Sequence, residues 1–174
     1  MTQTYASLLW GPLTRFGLRF AVAAAAADQA VKLWVLYGLD MPVRGSLRLT
    51  PFLDLVLVWN TGISYGWFQQ TGEAGQWALV GVKVIAIALL WIWLARAPSR
   101  LVAASLALII GGALGNAADR IAWGAVVDFI LFHITTPSFT FRWYVFNLAD
   151  VAIVAGVVGL LYDSFRGSGA AKAP

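Results

Sequence analysis

The stretch LVAASLALIIGGALGNAADRI, Leu101 to Ile121, decides how the rest of the chain is read. Its first half is an unbroken apolar run, and its second half is glycine and alanine interrupted by Asn116, Asp119 and Arg120. About 20 helical residues cross a hydrocarbon core about 30 Å thick, so this length and polarity predict a membrane-spanning helix that ends in a polar corner. The small residues allow another helix to approach closely. Stretches of the same kind occur from Phe16 to Tyr37, Gln76 to Ala95 and Tyr144 to Phe165, which makes four spans.

The bulk composition agrees. Of 174 residues, 60% are hydrophobic and 11% charged, and the mean hydropathy is +0.77, whereas a soluble domain carries about 25% charged residues. The chain is long enough for one compact membrane domain covering residues 1–174. It has no cysteine and a single histidine, His133, so thiolate chemistry, disulfides and histidine-based metal cages are excluded. No cofactor is expected, and chemistry falls to carboxylates, hydroxyls and amides. The net charge of +4 comes from basic residues scattered singly between apolar runs, which argues against a nucleic-acid partner and makes them topology signals. Arg15 and Arg19, Arg96 and Arg100, and Arg166 and Lys172 all flank one face, the cytoplasmic one by the positive-inside tendency. Ala23 to Ala27 resembles a signal-peptide cleavage region, but the apolar run continues through Val35, as a retained helix would.

Two segments, about 38–75 and 122–143, then fall on the outer face. Leu47 to Leu49, Leu53 to Val58, Val126 to Phe132 and Phe139 to Phe141 read as strands, with Pro51 and Thr135-Thr136-Pro137-Ser138 as punctuation. The expected fold is an α-helical membrane protein, a four-helix bundle with a small outer-face β-sheet that forms a cradle. Trp10, Trp34, Trp77, Trp123 and Trp143 fall near span ends, as interfacial aromatics do, and residues 167–174 read as a flexible tail.

Polar groups at membrane depth carry the functional signal, because an ionisable side chain at the bilayer centre costs about 2.5–3.5 kcal/mol even on the lenient scale. Asp28 and Lys32 are four apart on one helical face, either a self-neutralising pair that lets the helix insert or part of a site. Asn116 lies three and four residues before Asp119 and Arg120. Asp128 interrupts the apolar run Val126-Val127-Asp128-Phe129-Ile130, and Asp150 does the same after Asn147. Topology puts both lone carboxylates near the outer surface. If they meet, one keeps a proton near neutrality while the other accepts one, an arrangement able to activate water against a peptide carbonyl. Gly62-Ile63-Ser64-Tyr65-Gly66 matches the nucleophile elbow G-x-S-x-G, but the strand-to-helix context and histidine base that motif needs are missing. His133 reads as a surface or interface residue. A small ion-coupled transporter and a scaffold whose acids merely pair with basic residues remain as rival readings.

Taken together, the motifs resemble the bacterial lipoprotein signal peptidase family, signal peptidase II, over nearly the whole chain. Asp28 to Lys32 resembles D-x-x-x-K, Asn60-Thr61-Gly62 resembles N-x-G, and Gly111 to Arg120 resembles G-G-A-x-G-N-x-x-D-R. Val126 to Phe129 resembles V-V-D-F, and Phe146 to Asp150 resembles F-N-x-A-D. The resemblance implies an aspartic endopeptidase of the bacterial inner membrane, with both termini cytoplasmic and the active site near the outer face. Such an enzyme removes signal peptides from diacylglyceryl-modified prolipoproteins, cutting before the lipidated cysteine. By motif match Asp128 and Asp150 would be the catalytic pair, while Asp28, Lys32, Asn60, Gly62, Asn116, Asp119, Arg120 and Asn147 would bind substrate or brace the site. Arg120 would hold Asp119 or contact a lipid phosphate. Membrane phospholipid and globomycin-type peptide inhibitors are the further partners implied. Ile63-Ser64-Tyr65 stands in place of the commoner Ala-Ala-Phe, and Val151 in place of a serine, which bears on substrate contacts more than on the reaction.

Overall fold

A computed structural model describes residues 6–62 and 73–170. Ser64 and the rest of the elbow-like motif beyond Gly62 lie outside them, as do part of the outer segment and residues 171–174. Six α-helices appear in chain order among the described residues: α1 (Ala6–Leu9), α2 (Thr14–Leu33), α3 (Met41–Arg44), α4 (Glu73–Leu94), α5 (Arg100–Trp123) and α6 (Leu148–Ala170). A π-helical turn, Trp34–Gly38, prolongs α2. Four of these helices are long and apolar enough to cross a membrane, over Thr14–Gly38, Trp77–Leu94, Arg100–Trp123 and Leu148–Arg166.

The central helix is α5. Two-thirds of its span window, 67%, is buried inside the protein, against 28% for the first span and 11% for the other two. Small residues make this possible. A Cβ on Gly111 would meet the carbonyl and Cα of Ala21 on α2, and one on Gly112 would meet the Ala149 carbonyl on α6, so both neighbours pack at backbone distance. At the end where α2 and α6 approach the start of α5, Ala21, Leu94, Val102, Ala103, Leu106, Ala107 and Ile110 form an apolar cluster. Ser99 caps α5 there, its hydroxyl accepting from the Val102 amide at 3.2 Å.

The opposite end carries the sheet. Strands β1 (Ser46–Thr50), β2 (Leu53–Asn60), β3 (Val126–Thr136) and β4 (Phe139–Arg142) pair antiparallel in sequence order. Gly124, with φ +70°, ends α5 and turns the chain into β3, a left-handed conformation that glycine adopts without steric cost. The core beneath the sheet is Val35, Leu36, Met41, Leu55, Val127 and Phe129.

Three expectations need correction. The last span begins at Leu148, not Tyr144, because Phe146 is held as extended backbone, exchanging hydrogen bonds with Ile130 at 2.8 and 3.0 Å. His133 is buried, not at the surface, with Nε2 3.1 Å from Asp54 Oδ2, since the β2–β3 register sets the two residues diagonally opposite on one face of the sheet. The segment read as a tail is helical through Ala170, continuing the register of α6.

Candidate functional site

The polar residues of the four spans and the sheet converge at the sheet end of the bundle. Lys32 is completely buried, and its ammonium has three protons to place. They meet Asp28 Oδ2 at 2.8 Å, Asp119 Oδ2 at 2.7 Å and Asn116 Oδ1 at 2.9 Å. Each acid then fastens a second element. Asp28 Oδ1 accepts the Ala149 amide of α6 at 2.8 Å, and Asp119 Oδ2 accepts the Val127 amide of β3 at 3.0 Å. A Cβ on Gly115 would strike the Asp28 carboxylate, so the small residue keeps this cluster compact. Two buried carboxylates and one ammonium thus tie α2, α5, α6 and β3 together.

Asn116 and Asn147 carry the network onward. The Asn147 side-chain amide donates to Asn116 Oδ1 at 3.0 Å and to Asp128 Oδ1 at 2.6 Å. The Asn116 amide donates to Asp150 Oδ1 at 3.0 Å. Asp128 and Asp150 are therefore bridged by two carboxamides. At the N-terminus of α6 the Asn147 amide N–H donates to Asp150 Oδ2 at 3.1 Å and the Asp150 N–H to Asn147 Oδ1 at 3.0 Å, a reciprocal cap that fixes Asp150 in the first helical turn. From the sheet, Asn60 donates to Asp128 Oδ2 at 3.0 Å and accepts the Gly62 amide at 3.0 Å. Val58 stands opposite Asp128 in the β2–β3 ladder.

Both carboxylates line one cavity, about 570 Å³ including its open mouth, together with Asn60, Gly62, Asn116 and Arg120. Asp128 lies outside the spans and is buried. Burial pushes its carboxyl up from 3.8 to about 7; hydrogen bonds from Asn60 and Asn147 and the charge of Lys32 oppose the shift, and the charge of Asp150 adds to it. Such a group sits near its midpoint at neutrality and can give or take a proton there. Among the described residues no cluster of three or more potential metal ligands forms.

All ten residues singled out in the sequence occupy this one region. One arrangement differs from the sequence reading. Asp119 is engaged by Lys32, while Arg120 donates to the Gly62 carbonyl and so holds the loop after β2. The pair Asp28–Lys32 is more than self-neutralising, because it reaches α5 and α6. Sequence reasoning missed two residues. Gln29 donates to Asp119 Oδ1 at 2.7 Å and to the Gly115 carbonyl at 3.1 Å, and no charge marked it. Lys83 of α4 lines the cavity; a lone cation inside an apolar span was signal enough to find it.

Fold and site together define a multi-pass membrane protein with a carboxylate-lined polar cavity at one end of its helix bundle. Residues 20–166 match the family described as signal peptidase (SPase) II. The chain belongs to that family, enzymes that remove signal peptides from lipoprotein precursors. It is 61% identical over 160 residues to the lipoprotein signal peptidase of Nitrobacter hamburgensis, covering 92% of this chain and 98% of the relative. It is 57% identical to that of Rhodopseudomonas palustris with the same coverage. Two solved structures titled as bacterial membrane enzymes resemble the fold. One has a TM-score of 0.74 at 23% identity, covering 92% of this chain and 93% of its own, and the other 0.68 at 24% identity, covering 86% and 92%.

Proposed function

We propose that the enzyme cleaves diacylglyceryl-modified prolipoproteins just before the lipidated cysteine, using Asp128 and Asp150 as an aspartic dyad. The observation that carries this reading is two carboxylates on one cavity, bridged by Asn116 and Asn147; burial pushes the carboxyl of Asp128 up to about 7. Asp128 holds the proton and Asp150 is the base. Water attacks the scissile carbonyl carbon and gives a proton to Asp150, while the Asp128 proton moves to the carbonyl oxygen. Asp150 hands its proton to the nitrogen as the resulting diol collapses and the C–N bond breaks, and a diol hydroxyl returns one to Asp128. Each carboxyl ends as it began, which is the economy of a paired acid and base.

Asn60 and Gly62 border the same cavity, where an extended peptide would lie. Asp28, Lys32 and Asp119 brace the dyad from behind, and Arg120 braces the Gly62 turn. Arg15, Arg19, Arg96, Arg100 and Arg166 lie at the end away from the sheet, so the positive-inside tendency supports cytoplasmic termini and an outward-facing site in the bacterial inner membrane. A substrate already anchored by acyl chains reaches such a site from within the lipid, with phospholipid as the surrounding partner, and globomycin-type peptides would occupy the substrate's position.

The test is cleavage of a lipid-modified precursor followed by mass spectrometry of the products. Wild-type enzyme should cut immediately before the modified cysteine. Asp128→Asn and Asp150→Asn should each lower kcat by about a thousandfold or more, a typical scale for losing an essential acid or base, while their circular dichroism stays native. Normal turnover by either folded variant would refute the dyad.

A further inference from the structure

Lys83 is the sole charged residue in the apolar span Trp77–Leu94. At that depth an ionisable side chain costs a few kcal/mol, so its retention calls for a purpose. The residue is partly buried and lines the cavity that holds Asp128 and Asp150. Its surroundings combine Arg120 and Asp119 of α5, Lys32 of α2 and Asp150 of α6. Among the described residues its amine takes part in none of the ion pairs. The acceptors around it already receive other donors. Asp150 accepts from Asn116 and from the Asn147 amide, Asp119 accepts from Lys32, and Asn116 Oδ1 accepts from Lys32 and Asn147. Arg120, the other basic residue on the cavity wall, is directed at the Gly62 carbonyl. Among the described residues, Lys83 is the polar side chain that α4 brings to the cavity wall.

We infer that the Lys83 amine is a substrate-binding donor that hydrogen-bonds a carbonyl oxygen of the lipid-modified segment next to the scissile bond. The inference rests on the peptidase reading above. Along the helix Lys83 lies about 9 Å inside the span edge at Trp77, from the helical rise of about 1.5 Å per residue. Its flexible stem lets the amine lie closer to the edge than its Cα. At that level a modified cysteine offers two kinds of carbonyl, those of the peptide and those of the two glyceryl esters. A carbonyl that faces the apolar wall of α4 without a donor is costly to bury. Arg would fit the role less closely than Lys in shape but would keep a donor; Met would keep the volume and lose it.

Steady-state cleavage by the full-length enzyme tests this, with a precursor peptide whose glyceryl chains are ester-linked and a second whose chains are ether-linked. Lys83→Met should raise KM about tenfold on the ester substrate, the scale of one lost hydrogen bond to a charged group, with kcat within about twofold. Lys83→Arg should recover most of the loss. With an ester carbonyl as acceptor, wild type on the ether substrate behaves like Lys83→Met and the substitution adds nothing further. With a peptide carbonyl, the tenfold loss appears on both substrates. Lys83→Gln and thermal unfolding of each variant guard against misfolding. An unchanged KM on both substrates, or a loss confined to kcat, overturns the assignment of Lys83 and leaves the peptidase reading intact; failure of wild type to cleave either substrate would sink that reading instead.

Discussion

The two halves of α5 solve opposite problems with the same backbone. From Val102 to Ile110 the helix buries Val102, Ala103, Leu106, Ala107 and Ile110 against α2 and α4. From Asn116 to Arg120 it buries an amide, an acid and a guanidinium. In lipid the first half gains little from expelling water, so close packing and small residues hold it together. The second half is held by groups whose burial is unfavourable unless every partner is present. One half stores the fold's tolerance, and the other concentrates its vulnerability beside the cavity.

Removing one member of the polar half should therefore hurt more than trimming the apolar half. Lys32→Met leaves Asp28 and Asp119 buried without their cation, and should destabilise the protein by about 3–5 kcal/mol, read from thermal or denaturant unfolding in detergent. Restoring stability by adding Asp28→Asn to that variant would sharpen the contrast. Leu106→Ala should cost about 2 kcal/mol, largely for the cavity left behind, with cleavage per folded molecule unchanged. A cost equal to that of Lys32→Met would break the comparison. The smallest effect expected is a displacement in pH. Activity should decline as pH rises through about 7, where Asp128 loses its proton. Asn60 stabilises the ionised form, so Asn60→Ala should move that limb upward, as a pH profile of kcat would reveal. Stability has the matching sign. The folded state holds the Asp128 proton between 3.8 and about 7 while the unfolded chain does not, so this group's contribution falls as pH rises across that window and is level above it.

Much of this was legible in the sequence, for identifiable reasons. Spans announce themselves because hydrocarbon thickness fixes helix length, and lone charges in apolar runs announce themselves because each is costly. Strands beside Pro51 and around Thr135 to Ser138 were visible through alternation and turn residues. What stayed hidden depends on tertiary pairing. The start of α6 was set by the bridge between Phe146 and Ile130, a contact between segments that no local pattern encodes. The preference of Asp119 for Lys32 over its neighbour Arg120 follows from the packing of α2 on α5, and Gln29 stayed hidden because its partners, Asp119 and the Gly115 carbonyl, lie on another helix. Lys83 was the exception, passed over although the rule that singled out Asp28 applied equally to it.

The central claim is that two carboxyl groups beside one cavity keep a single proton near neutrality, and that Asp128 is where it resides. Infrared difference spectroscopy between wild type and Asp128→Asn measures this directly. A protonated carboxyl stretch belonging to Asp128 should be present below about 7 and vanish above it. A group that stays ionised down to the ordinary carboxylate range, about 3.9 for an aspartate in water, would contradict the account.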